Sequence, residues 1–380
     1  MTARSTGGMT QGACPAIALQ CEYLSSRGGG LPASVLPVAA RLGGLKPHLV
    51  TFDPPPGGLT DAPVFQAKKA RAPMRCDAHK ALRFHGVQLV HTHGLWTGLS
   101  TAALNWAQRT GGPTLVSPHG MLDGWAMTRS RWKKRAAMAL VERRHLNSAT
   151  CVHALTEHER STLRTLGVTA PIAVVPNGVS QPDPLALSPP AWLDRPTLLF
   201  LGRIHEKKGL LPLIAAWSKA SGRLEGWQLA IAGWEDGPCD VRAEAARCEG
   251  RIIFPGPLYG DDKQAALTHA SAFVLPSHSE GMPIAVLEAM AHGRPVLMSA
   301  ACALPEAVDA GAAARISTDH DAMAVSLTQH LNDADWLGEA GKAGRKLVAE
   351  RFDWDKIADL WRAIYLWALG EAPRPAAIDG

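Results

Sequence analysis

The chain has 380 residues, 46% of them hydrophobic and 19% charged, which supports two domains with cores of their own and excludes a disordered chain. A net charge of +5 suits an anionic ligand or membrane surface and argues little for nucleic acid. Seven scattered cysteines without a C-x-x-C pair predict neither a disulfide framework nor a zinc site and point to a reducing cytoplasm, and no run of about 18 apolar residues predicts a membrane span.

Residues 1–15 lack an apolar signal core and read as a loose tail, with Met9 as an alternative start. Short apolar runs then alternate with helical stretches, the pattern of a parallel α/β architecture. In the first half the predicted strands are Ala16–Gln20, Pro47–Phe52, Val87–His91, Thr114–Ser117 and Cys151–Ala154. Between the last two lies "RSRWKKRAAMALVERRHL", whose cations from Arg129 to Arg144 flank an apolar middle. It reads as a solvated helix face or as a patch resting on anionic lipid. The Pro-rich segment Gln181–Pro196 reads as an exposed interdomain linker. A second set of strands follows: Thr197–Leu201, Gln228–Ala232, Arg251–Phe254, Ala272–Leu275 and Pro295–Met298. Asp333 and Asp353, each opening a D-x-D string, read as helix caps and not as metal ligands. The final helix, Trp354 to Leu369, has Asp353 as its N-cap and Gly370 as its stop, with Trp361, Ile364, Tyr365 and Ala368 on one face and a frayed tail beyond.

The chemistry-bearing residues follow the strands, where a parallel sheet presents its carboxyl edge. After Leu201 come Gly202, Arg203 and Lys208. A glycine lets the backbone approach a ligand, and the Arg fork and Lys point charge suit a diphosphate. The plainer reading is a solvated basic turn, and no Walker A spacing is present. After Leu275 comes "SHSEGMPIAVLEAMAHGRPV", with Glu280 before a turn through Gly281, Met282 and Pro283 and a short helix from Ile284. A helix N-terminus attracts anions. That helix is apolar on every face except for Glu288, which sits too late for a capping box. A buried carboxylate needs donors; His292, four residues on, is one source and ligand hydroxyls are another. In the first half "VHTHGLW" and "SPHGMLDGWA" put His93, Trp96, His119 and Met121 after strands. His91-x-His93 lacks neighbouring Cys or carboxylate ligands, which argues against a metal.

The order "GRxxxxKG" then "SxxEGxPxxxLEAMAxGxPV" resembles the family 4, or group 1, retaining glycosyltransferases, supported by "HTHGLW", "SPHGML", "VVPNGV" and "AIAGWEDG". The resemblance implies a GT-B fold: two Rossmann-like domains, 1–178 for the acceptor and 179–352 for the nucleotide sugar, with 353–380 crossing back to the first. It implies that Arg203 and Lys208 hold the donor diphosphate, and that Glu288 binds the ribose. Glu280 would lie near the donor sugar, with the backbone of Gly281, Met282, Pro283 and Ile284 around its hydroxyls or phosphate, and Gly202 would also contact the donor. Many family members carry Gly where Pro283 stands, and Pro removes one N–H donor. His119 would lie beside the anomeric carbon, Gly29 of the "RGGG" loop over the diphosphate, and His93, Trp96 and Met121 on the acceptor side. The implied activity is metal-independent, cofactor-free retaining transfer of a hexosyl group from a nucleotide sugar. Its acceptor would be a saccharide or lipid-linked saccharide in exopolysaccharide, O-antigen or lipopolysaccharide assembly at the cytoplasmic membrane face. A sugar-nucleotide epimerase and a non-catalytic relative use the same fold; a dehydrogenase is disfavoured because no G-x-G-x-x-G follows the first strand.

Overall fold

The computed structural model describes residues 14–71, 74–124, 131–182, 187–237 and 240–379. Two parallel sheets organise it. The first holds β1 (Ala16–Tyr23), β2 (Lys46–Asp53), β3 (Val64–Gln66), β4 (Leu89–His93), β5 (Thr114–Ser117), β6 (Cys151–Ala154) and β7 (Ile172–Val174) in the order 3-2-1-4-5-6-7. The second holds β8 (Thr197–Leu201), β9 (Gln228–Ala232), β10 (Ile252–Ile253), β11 (Ala272–Leu275), β12 (Val296–Ser299) and β13 (Ala313–Ile316) in the order 10-9-8-11-12-13. Every ladder is parallel, so each connection crosses over, and helices cover both faces. The architecture is the GT-B fold.

Strand order reverses between β1 and β4 in the first sheet and between β8 and β11 in the second. Ligands bind at such switch points, because the loops on either side diverge and leave a crevice. The loops after β8 and β11 carry Lys208 and Glu280; those after β1 and β4 carry Gly29 and His93–Trp96.

Several expectations are corrected. Each sheet gains short outer strands that the hydrophobic pattern does not announce: β3 and β7 in the first, β13 in the second. The expected strand Val87–His91 lies two residues later, at Leu89–His93, and Arg251–Phe254 shrinks to Ile252–Ile253. The tail is not frayed. Ile378 bridges Ala173 in antiparallel fashion, Val174 N–H donates to Ala377 O at 3.0 Å, and Asp379 accepts Ile172 N–H at 2.7 Å. The cause is the open edge of β7, whose unpaired backbone groups the tail satisfies. The helix after Glu280 is not buried all round: Ile284, Ala285 and Glu288 form a partly exposed stripe.

Asp333 and Asp353 cap their helices, accepting Trp336 N–H and Asp355 N–H. The helix Trp354–Ala368 crosses from the second sheet to the first, where Trp354, Ile357, Trp361, Ile364 and Tyr365 pack with Ile17, Leu19, Leu89 and Leu115. Arg129 lies outside the described residues. From Arg131 the segment is helical to Ala137, makes a π-helical turn over Met138–Glu142, and continues helical over Arg143–Asn147.

Candidate active site

On the second sheet, Lys208 Nζ meets Glu280 Oε1 at 2.5 Å, and Ser277 Oγ donates to the same oxygen at 2.6 Å. The pair is nearly enclosed, with side-chain exposures of 15% and 10%, so the two charges face each other with little solvent between them. Burial pushes the Glu280 carboxyl up, but the Lys208 and Lys207 charges and the bonds from Lys208 and Ser277 outweigh it and hold it below the usual range. Arg203 points elsewhere: its Nη1 donates to Asp236 Oδ2 at 2.8 Å, a pair about half exposed. The two cations expected to act together therefore each hold a carboxylate of their own. Lys208 has three donors and Arg203 five, so both retain capacity for an anion.

Gly202 follows β8 and lies against Gly233, which follows β9. A Cβ on Gly233 would stand 1.7 Å from Gly202 O, so only glycine permits this joint. Pro283 occupies the N-cap position of the helix Ile284–Ala291 and offers no N–H. Glu288 Oε1 accepts from Lys263 Nζ at 2.6 Å. The expected local donor, His292, is turned away: its ring bonds Thr268 and Gln264. Glu288 is thus neither fully buried nor without a protein donor, and it stands on the partly exposed stripe with Ile284.

On the first sheet His93 Nδ1 lies 3.0 Å from His119 Nε2. Met121 packs under the first loop, with Leu95 N–H donating to its Sδ at 3.3 Å. His93 Nε2 and Trp96 Nε1 are buried without a hydrogen-bond partner among the described residues. Behind them a chain of bonds has one possible direction. His153 Nε2 lies 2.7 Å from Val175 O, a pure acceptor, so it carries the proton. Neutral His153 then accepts at Nδ1 from Ser117 O–H at 2.8 Å. Ser117 Oγ accepts from His91 Nε2–H at 2.7 Å, and His91 Nδ1 accepts from Tyr365 O–H at 2.7 Å. Both ring nitrogens of His91 are taken, by Ser117 and Tyr365. Burial above all holds His91, His93, His119 and His153 below the ordinary histidine range, His153 at about 4. Gly29 opens the helix Gly30–Ala39 with φ +60, and the "RGGG" loop stands at the first sheet's switch point.

The two sheets meet at this edge. Asn177 Nδ2 donates to Met282 O at 3.0 Å and Ser34 Oγ to Asn177 Oδ1 at 2.8 Å, while Ser279 Oγ donates to Asp123. Gly120 lies against Gly281, where a Cβ on Gly120 would come 3.0 Å from Gly281 Cα.

Residues 2–178 match the family of glycosyl transferase 4-like domains, and residues 195–333 match glycosyl transferases group 1. The chain belongs to the group 1 glycosyltransferases. A glycogen synthase of Mycobacterium tuberculosis is 32% identical over 177 residues, 45% of this chain and 42% of the relative. The O-antigen chain mannosyltransferase B of Escherichia coli is 32% identical over 162 residues, 41% of this chain and 42% of the relative. The chain thus matches less than half the length of these relatives. The structure of HepE from Anabaena in complex with UDP-glucose superposes with a TM-score of 0.72 at 17% identity, covering 93% of this chain and 99% of that one.

The local sequence pattern does not single out Lys263, Asn177, Asp123, Glu142 or Glu159. Lys263 stands 25 residues before its partner, and Asn177 reaches 105 residues along the chain, separations with no local pattern. Glu159 was hidden by its spacing. Thr156-x-x-Glu159 reads as a capping box, and Thr156 Oγ1 does accept Glu159 N–H at 3.1 Å. The carboxylate, however, turns away to other partners.

Proposed function

We propose that this glycosyltransferase transfers a hexosyl group with retention and without a metal ion, from a nucleoside diphosphate sugar to a saccharide or lipid-linked saccharide of a surface polysaccharide. The observation that carries the reading is the Lys208–Glu280 pair at the second switch point, with Glu288, 18% exposed, on the partly exposed stripe of the next helix. Lys208 and Arg203 hold the diphosphate, Glu288 takes ribose hydroxyls on the oxygen that Lys263 does not use, and Glu280 lies toward the sugar. The O-antigen mannosyltransferase relative and the UDP-glucose complex of HepE support a nucleotide sugar as donor and a saccharide as acceptor.

In the reaction the bond from the anomeric carbon to the diphosphate oxygen breaks, and the acceptor oxygen bonds the same face of that carbon. The acceptor proton passes to the departing phosphate oxygen. Negative charge gathers on the leaving diphosphate, where one well-placed cationic donor is worth about 3 kcal/mol. Glu280 is tied to Lys208 and Ser277, an arrangement for binding and not for nucleophilic attack. His119 lies beside the reacting carbon, and the acceptor hydroxyls satisfy His93 Nε2 and Trp96 Nε1.

Among the described residues no helix is long and apolar enough to cross a membrane. Trp132 and Leu140, 79% and 78% exposed on the basic helical segment, support contact with an anionic membrane on its cytoplasmic face. A thermal-shift screen of uridine, guanosine and adenosine diphosphate sugars identifies the donor by mass action. Product analysis with that donor then tests the mechanism. An inverted anomer, activity abolished by chelator, or epimerised donor without acceptor would each refute the proposal.

A further inference from the structure

The two loops on the acceptor side share an arrangement. In each, a residue other than glycine occupies the left-handed region: Trp96 with φ +70 after β4, and His119 with φ +53 after β5. A Cβ makes that conformation strained, and it persists only where the surroundings hold it. Here a buried carboxylate from a later helix does the holding. Glu142 Oε1 accepts Trp96 N–H at 2.7 Å, and its Oε2 faces His145 Nδ1 at 3.2 Å. Glu159 Oε1 accepts Gly120 N–H, next to His119, at 2.6 Å, and its Oε2 accepts Leu155 N–H at 2.8 Å. Glu142 is 0% exposed and Glu159 7%. Glu142 also ends the π-helical turn Met138–Glu142, a feature that recurs at functional sites.

A purely stabilising role fits poorly. Removing a carboxylate from water is costly, and backbone N–H groups in loops can be solvated instead. Burial pushes the Glu159 carboxyl above its usual range, and the Leu155 and Gly120 N–H groups offset this only in part. What the bonds secure is geometry. They fix the backbone of His119 and Gly120 at the point where Gly120 touches Gly281 of the donor-side loop.

We propose that Glu159, and by the same geometry Glu142, are positioning residues that hold the His119–Gly120 and Trp96 backbone in the conformation needed for transfer. Each acts through the loop backbone whose N–H it accepts. The inference rests on the transferase reading above.

Glu159→Gln replaces one carboxylate oxygen by an NH2 group, so one of the two N–H groups loses its acceptor. Three measurements are made with the donor found by the thermal-shift screen. Hydrogen–deuterium exchange of the peptide spanning Gly120 is expected to quicken about 10-fold. The kcat is expected to fall about 10- to 100-fold, the scale of a displaced reacting group, with the donor KM unchanged within about twofold. The melting temperature is expected not to fall. Unchanged Gly120 exchange, or quickened exchange with unchanged kcat, overturns the proposal, as does a loss of kcat that tracks a lowered melting temperature. Glu142→Gln, read at the peptide spanning Trp96, supplies the same comparison should Glu159→Gln not fold. If the wild-type chain turns over no donor, the transferase reading fails and this inference with it; if the wild type is active and the variants match it, only this inference fails.

Discussion

Glu288 and Glu280 stand eight positions apart and do different work because their surroundings differ. Glu280 is locked between Lys208 and Ser277, with 10% of its side chain exposed. Glu288 bonds Lys263 through one oxygen, and its other oxygen takes no bond among the described residues. Replacements should therefore separate binding from stability. Glu288→Gln is expected to weaken binding of the donor nucleoside diphosphate at least about 10-fold by calorimetry, with little change in unfolding free energy, since hydrogen bonds to a charged group contribute about 1.5–3 kcal/mol. Lys208→Met strands the Glu280 carboxylate in an enclosed site. It should cost about 3–5 kcal/mol in denaturant unfolding and abolish donor binding together. Glu280 and Glu288 were visible in the sequence as the carboxylates before a turn and within the apolar helix that follows it. Lys263 was not, because a helix turned from elsewhere in the chain supplies it.

At the scale of elements, the helix Trp354–Ala368 is tied to the first sheet by more than apolar contact. Tyr365 O–H begins the bond chain through His91, Ser117 and His153 to Val175 O, and Trp361 packs against the rings of His91 and His153. Burial raises the Tyr365 hydroxyl well above its ordinary range, so it stays a donor. Tyr365→Phe leaves His91 Nδ1 without its donor and should cost about 1–3 kcal/mol, read from urea unfolding. The apolar face of this helix was legible from its periodicity, but its partner was not, since the hydroxyl and imidazole lie 274 residues apart. The same limit explains the missed strands. β3 and β7 have three residues each, too few to establish an alternating pattern, and β13 opens with two alanines, which carry little strand preference; each exists because a neighbouring strand leaves an open ladder.

At the scale of the molecule, the buried histidines link stability to acid. Each holds its proton less readily when folded than when unfolded, so the unfolded chain binds more protons and stability falls as pH is lowered. For His153 the loss begins near its ordinary value of 6.5 and is complete near about 4, amounting to about 3 kcal/mol at 1.36 kcal/mol per unit. His91, His93 and His119 add to it in the same direction. The melting temperature should drop steeply between about pH 6.5 and about pH 4; a flat profile there would contradict the bond chain. The joint between the sheets is equally testable. Gly120→Ala places a Cβ 3.0 Å from Gly281 Cα at a backbone φ of +72. It should lower kcat about 10-fold or more while nucleoside diphosphate binding, measured by calorimetry, is kept.

The amino-acid sequence by itself determined the repeating strand–helix order, the two-sheet architecture, the helix caps at Asp333 and Asp353, and the residues after β4, β5, β8 and β11. All of these follow from local periodicity and from loops that must emerge at the carboxyl edge of a parallel sheet. Tertiary structure alone decided how those residues pair. It gave Lys208 to Glu280 and Arg203 to Asp236, turned His292 away from Glu288, and recruited Glu142 and Glu159 to loops far from them in the chain. Charges and polar hydrogens pair according to which groups burial brings within hydrogen-bond reach, and that is set by packing, which no local spacing encodes.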